Sequence, residues 1–163
     1  MMKRLLGLMI AVVLCLSLMC SSALAISAAY SSTQAVADKL DELEIVYTLV
    51  GVTDSGVEVL KVPYGDYTIF FLFDEDLDLT SIRIWNIITF NDADLSKVLR
   101  SVNALNIDYK FTKFCVDEDD NTVSCEMDII HRDKDVADIV LEGLLHMLSI
   151  LKHAEEALSV YDR

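Results

Sequence analysis

The side chains with most chemistry to offer are two thiols, two acidic clusters and a pair of helical histidines. Cys115 and Cys125 bracket the stretch "FCVDEDDNTVSC" at residues 114–125. They could form a disulfide, supply half of a metal shell, act as reactive thiols, or fill space in a strand pair. Register separates these readings. If the turn is Asp119–Asn121, the cysteines face each other with Cα atoms ~4.5 Å apart, near the lower end of disulfide geometry. That register also sets Asp117 against Val123, Lys113 against Met127 and Phe114 against Glu126. A one-residue slip, with a four-residue turn at Glu118–Asn121, pairs Val116 with Val123 and Phe114 with Cys125. It also brings Lys113 opposite Glu126, a favourable cross-strand charge pair. Because a slip of one exchanges sheet faces, the two thiols then part company. The second register is preferred, with Cys125 in the core and Cys115 on the other face. The candidate redox pair Cys115–Cys125 stays as the alternative and would close a short loop, stabilising by at most about 3 kcal/mol. No C-x-x-C or nearby histidine pair completes a zinc shell.

The carboxylates imitate a cation site incompletely. Asp117, Asp119, Asn121 and Asp128 follow part of a calcium-loop spacing, but the sixth position is Thr122 in place of glycine and the twelfth is aspartate. An acidic hairpin tip accounts for them better. "FDEDLDLT" (residues 73–80) reads as a solvated acidic loop on the same grounds. Glu142, His146 and His153 share one side of a helix, yet the histidines lie two turns apart, too far to grip one ion unaided. There is no G-x-S-x-G, H-E-x-x-H, P-loop or dinucleotide glycine pattern. The sequence therefore predicts no catalytic residues, no metal site and no cofactor.

The elements that must carry these residues follow from periodicity. Ser31 and Gln34 have capping-box spacing, and Val36, Leu40 and Leu43 recur at helical intervals. From Ile45 the period changes to strands: "IVYTLVG", "VEVLKV", "YTIFFLF" and "SIRIWNI". Turn signals at Thr53–Gly56 and Pro63–Asp66 and the acidic run Asp74–Asp78 separate them, so neighbours should pair antiparallel. The third and fourth strands are apolar on both faces, Phe70 and Leu72 opposing Ile69 and Phe71, and Trp85 and Ile87 opposing Ile82 and Ile84. Helices on both faces, or a partner on one, are expected to cover them. A second helix begins near Asn91, with Leu95, Val98, Leu99, Val102 and Leu105 along one side. The cysteine hairpin follows, then a helix from about Asp133 to Tyr161. The order α-β-β-β-β-α-β-β-α is an α+β fold with an antiparallel sheet.

The last helix is unusually apolar. Val136, Val140, Leu144, Met147, Leu151 and Ala154 form a buried stripe. Leu141, Leu145 and Leu148 widen it beyond the ~100° that a surface helix needs. They either pack on the second helix or form a binding surface for another chain.

The chain's ends and bulk charge set the compartment. Lys3 and Arg4, the apolar run Leu5–Met19 and the Ala23-Leu24-Ala25 site read as a signal peptide over residues 1–25. The run is shorter than the ~20 residues a membrane-spanning helix needs. Bulky Leu18 and Met19 before Cys20 favour cleavage after Ala25 over lipidation. The mature protein is expected outside the cytoplasm, with no stable membrane insertion. The whole chain carries a net charge of −14; losing Lys3 and Arg4 leaves 11 basic and 27 acidic residues, a net charge of −16. Nucleic acid is disfavoured as a partner, because no basic surface is available to displace its counterions. Residues 26–32 read as a flexible lead and 33–163 as one domain.

The C-terminal half resembles the YbjN family of small bacterial proteins. "VLRSVNALNIDYKFTKFCVDEDDNTVSCEMDII" (residues 98–130) is similar to the family's pattern of a leucine-containing helix, one or two asparagines (Asn103 and Asn106), an extended segment and an acidic turn. The trailing "ADIVLEGLLHMLSILKHAEEAL" and the earlier "IWNIITF" extend the likeness over most of residues 33–160. It implies a fold similar to the type III secretion chaperones, and hence a non-enzymatic protein-binding or adaptor role, with a protein partner or a homodimer. Two departures stand out: the export signal, and Asp120-Asn121 in the turn where glycine is commoner. A secreted cation-binding protein or hydrolase using the acidic loops is the alternative function.

Overall fold

The computed structural model describes residues 27–132 and 135–162. The export signal over residues 1–25, Cys20 and Ala25 included, lies outside the described residues, as does Asp133. The elements are α1 (Ser31–Glu42), β1 (Thr48–Val52), β2 (Glu58–Tyr64), β3 (Tyr67–Asp74) and β4 (Leu79–Thr89). A 3-10 turn (Asp92–Asp94) then runs into α2 (Leu95–Asp108), followed by β5 (Lys113–Asp117), β6 (Thr122–Ile130) and α3 (Val136–Leu158). This is the α+β order that periodicity predicts.

The six strands form one antiparallel sheet in the order β1-β2-β3-β4-β6-β5. Helix α2 carries the chain past the position of β6 to the far edge, and β6 returns between β4 and β5. The turns follow from local chemistry. Gly65, at φ 58°, takes the first central position of the two-residue link between β2 and β3. Pro63 sits in β2 beyond Lys61, the last residue paired with β1, so its missing N–H deprives no ladder.

Helices α1, α2 and α3 share a single core with one face of the sheet. Val36 and Leu40 of α1, Val98 and Val102 of α2, and Val140 and Met147 of α3 meet Leu60, Phe71, Ile82 and Cys125 there. Helix α3 and β6 approach closely at Gly143, where a Cβ would run into Ile129 Cδ1 and lie 3.3 Å from Met127 Sδ. Among the described residues no helix lies on the opposite face. Val59 is buried yet stands outside that core, as do Phe70, Leu72 and Trp85.

Two local expectations change. The capping box is not made: Tyr30 occupies the N-cap position of α1 without a side-chain cap. Gln34 Oε1 instead accepts from the Ala28 N–H at 3.0 Å. The segment read as a flexible lead is also tied down from residue 28 onwards. The buried Glu58 carboxylate accepts from the Ala29 and Tyr30 amides at 2.8 and 2.9 Å. Ser31 Oγ donates to Glu75 at 2.8 Å, and Tyr30 Oη donates to the Gly56 carbonyl at 2.7 Å.

Candidate functional site

Strand pairing decides the fate of the thiols. Lys113 pairs with Glu126, Phe114 with Cys125 and Val116 with Val123, the slipped register with its turn at Glu118–Asn121. Asn121 adopts φ 54°, the left-handed conformation that asparagine tolerates better than most residues. Cys125 is fully buried and Cys115 exposed, and both thiols are free. The bridged alternative is therefore corrected: one register step puts the thiols on opposite faces of the sheet. Burial pushes the Cys125 thiol up to about 12. Cys115 is raised as well, first by partial burial and then by the Glu126 carboxylate. Neither thiol has the electropositive setting that activates a nucleophile.

The acidic residues do not converge. Asp117 Oδ1 accepts from the amides of Asp119 and Asp120 at 3.0 and 3.2 Å, an Asx-type turn within the hairpin. Asp128 lies far along β6, where it meets Ser81 Oγ at 2.6 Å and Arg83 Nη2 at 2.8 Å. Partial burial works to raise Asp128, but the Ser81 and Arg83 contacts outweigh it and hold the carboxyl below its usual value. In the other acidic loop, Asp74 Oδ1 accepts from the Leu77 amide at 3.1 Å, closing the turn. Among the described residues no three His, Cys, Asp or Glu side chains gather in a metal-binding arrangement. Glu142, His146 and His153 are exposed along α3.

Helix α3 divides the leucine shoulder. The predicted stripe from Val136 to Ala154 is buried, and Ile150 and Leu158 join it. Leu141 and Leu148 are partly buried against the core, whereas Leu145 is 68% exposed on the outward side. Two of the three shoulder leucines thus pack within the chain, and the third, Leu145, faces solvent between them.

The uncovered sheet face forms a second surface, which strand patterning alone does not single out. Cross-strand pairing lays Lys61, Phe70, Arg83, Glu126 and Lys113 in one row across five strands. A parallel row holds Val59, Leu72, Ser81 and Asp128. The Phe70 and Trp85 rings lie 4.1 Å apart between centroids, and Lys61 Nζ sits 5.0 Å from the Phe70 centroid. Arg83 Nε reaches Glu126 at 3.3 Å. A bulge between Ile84 and Ile88 contains Asn86 at φ 57°. It turns Ile87 into the core while Trp85 stays 43% exposed, so these two residues do not share the expected role.

A six-stranded antiparallel sheet with three helices on one face, in this chain order, is the α+β fold of the type III secretion chaperone-like class. The chain belongs to the YbjN family, described as "Putative bacterial sensory transduction regulator", which matches residues 32–149. The solved structures agree in fold. The crystal structure of YbjN, "a putative transcription regulator from E. coli", superposes with a TM-score of 0.59 at 10% identity, covering 78% of this chain and 91% of that one. A chain of the ExsC–ExsE complex gives 0.52 at 14% identity, covering 79% and 92%. A chain of the HopA1–SchA chaperone–effector complex gives 0.53 at 13%, covering 76% and 92%. No curated protein sequence matches the chain.

Proposed function

We propose that this protein is an exported, non-enzymatic adaptor that binds a client protein through the outward side of α3. The observation that carries the reading is Leu145, a large apolar side chain left 68% exposed midway along a 23-residue helix, well beyond the 39% of Ile139, the other large apolar side chain exposed there. Leu141 and Leu148 flank it and provide a firm base, since both lean on the core. An amphipathic or extended client segment could seat on such a strip with i, i+3 and i+4 anchors. The family fold supports this reading, because one of the solved neighbours is a chaperone–effector complex. The sequence pattern at residues 1–25 supports export, and the N-terminal residue and mass of the protein isolated from its own cells test it.

The binding claim is tested with Leu145→Asp. The variant removes an exposed side chain, so its folding stability should stay within about 0.5 kcal/mol of the parent. Client recovery with the affinity-purified protein should be lost. A variant that folds and still recovers the same client places the contact elsewhere.

A further inference from the structure

We infer that the uncovered face of the sheet is a self-association surface, on which a second copy of this chain packs sheet against sheet. The face combines an apolar centre with charges of both signs in fixed order. Phe70, Trp85, Leu72 and Val59 make the apolar part, and none of them belongs to the core on the helical side. Along the middle row the sequence of charges is Lys61, Arg83, Glu126 and Lys113.

A two-fold axis running along the strands between β3 and β4 exchanges β3 with β4 and β2 with β6. That operation lays Lys61 of one copy over Glu126 of the other and Phe70 over Arg83, each contact occurring twice. The middle row is thus its own complement, as an isologous dimer requires, while the parallel row sets Leu72 over Ser81 and Val59 over Asp128. Lys61 is available for this role: among the described residues its ammonium has no carboxylate within salt-bridge distance, and it rests on the Phe70 ring. Arg83 is already held by Glu126 and Asp128, so it offers a preorganised guanidinium plane to an aromatic ring.

Net charge does not oppose this arrangement as strongly as its size suggests. Stacking the open faces points both helical layers outward. The exposed acids of α1 (Asp38, Asp41, Glu42) and α3 (Asp138, Glu142) then stay in solvent on the far sides of the pair. The outcome is a four-layer α/β/β/α particle, its sheets about 10 Å apart. Leu145 also lies on the helical side, so self-association and client binding use separate surfaces and either can fail alone.

Native mass spectrometry of the purified protein over a concentration series tests the inference, with Trp85→Ser and Lys61→Glu as variants. Both positions are at least partly solvent-exposed, and urea melts establish that each variant folds. The expected result is a two-chain mass that grows with concentration, weakened about tenfold or more by Lys61→Glu, which sets like charges together. Trp85→Ser should weaken it comparably, and Leu145→Asp should leave it unchanged. A single-chain mass throughout the series overturns the inference. So does a dimer that survives both sheet-face substitutions.

Discussion

At Cys125 the burial that makes the thiol a good core side chain also makes it a poor nucleophile. Its titration is pushed up to about 12, while Cys115 stands exposed across the sheet. Native protein that begins at residue 26, without Cys15 and Cys20, should therefore gain one maleimide label, at Cys115, and a second only after unfolding. Two labels at equal rates, or none before reduction, would contradict the register. His131 offers a pH test. It is buried at the end of β6, with Nε2 2.9 Å from Thr80 Oγ1 and its amide donating to the Asp78 carbonyl. Burial lowers its titration, against weaker opposing pulls from Asp78 and Glu75. The folded chain thus binds a proton less readily at this site than the unfolded chain. Its contribution to stability is complete above the unfolded value of about 6.5 and is lost as pH falls through the lower folded value. Urea midpoints from pH 8 to pH 5 should fall more steeply for the parent than for His131→Gln. Equal slopes would remove His131 from the acid response.

At the scale of elements, two side chains do work that secondary-structure patterns conceal. Asn106 of α2 lies against the outer edge of β5. Its Nδ2 donates to the Phe114 carbonyl and its Oδ1 accepts from the Phe114 amide, both at 2.8 Å. The side-chain amide therefore occupies the place of a neighbouring strand and blocks one rung of an exposed edge. Asn106→Ala should cost about 1–3 kcal/mol in urea unfolding, because it leaves both backbone groups without partners, and should raise the tendency to aggregate. Glu58 ties the segment that leads into α1 to β2 through the Ala29 and Tyr30 amides. Glu58→Ala should cost a similar ~1–3 kcal/mol and admit proteolysis near residue 30 that the parent resists. Unchanged cleavage would show that the anchor is dispensable.

The order of elements and the hairpin register were legible because periodicity and cross-strand charge are local signals. Asn103 and Asn106 stood out in the family pattern, but the edge-blocking role of Asn106 needs a partner strand that periodicity does not place. Glu58 reads as one polar position in "VEVLKV", and nothing near it points to amides 28 and 29 residues upstream. The bulge at Trp85–Ile87 was hidden because it interrupts an apolar run without a glycine or proline. Asn86 supplies the left-handed turn instead. Strands β3 and β4 are apolar on both faces in the sequence, but only the positions of α1, α2 and α3 show which face the described residues leave open.

In the whole molecule one sheet separates two candidate surfaces on opposite sides. One is the leucine strip of α3 and the other is the open sheet face. The family and its solved neighbours establish the scaffold, and the exposed side chains supply the argument for what it carries. Export, client binding and self-association make separate predictions, so a failure in one does not conceal the others. The central claim is client binding, and native mass spectrometry of the protein isolated from the cells that make it tests that claim most directly. The account predicts a complex that contains a second, different polypeptide and disappears with Leu145→Asp. Finding only this chain, alone or paired with itself, would contradict the adaptor function even if the sheet-face dimer were present.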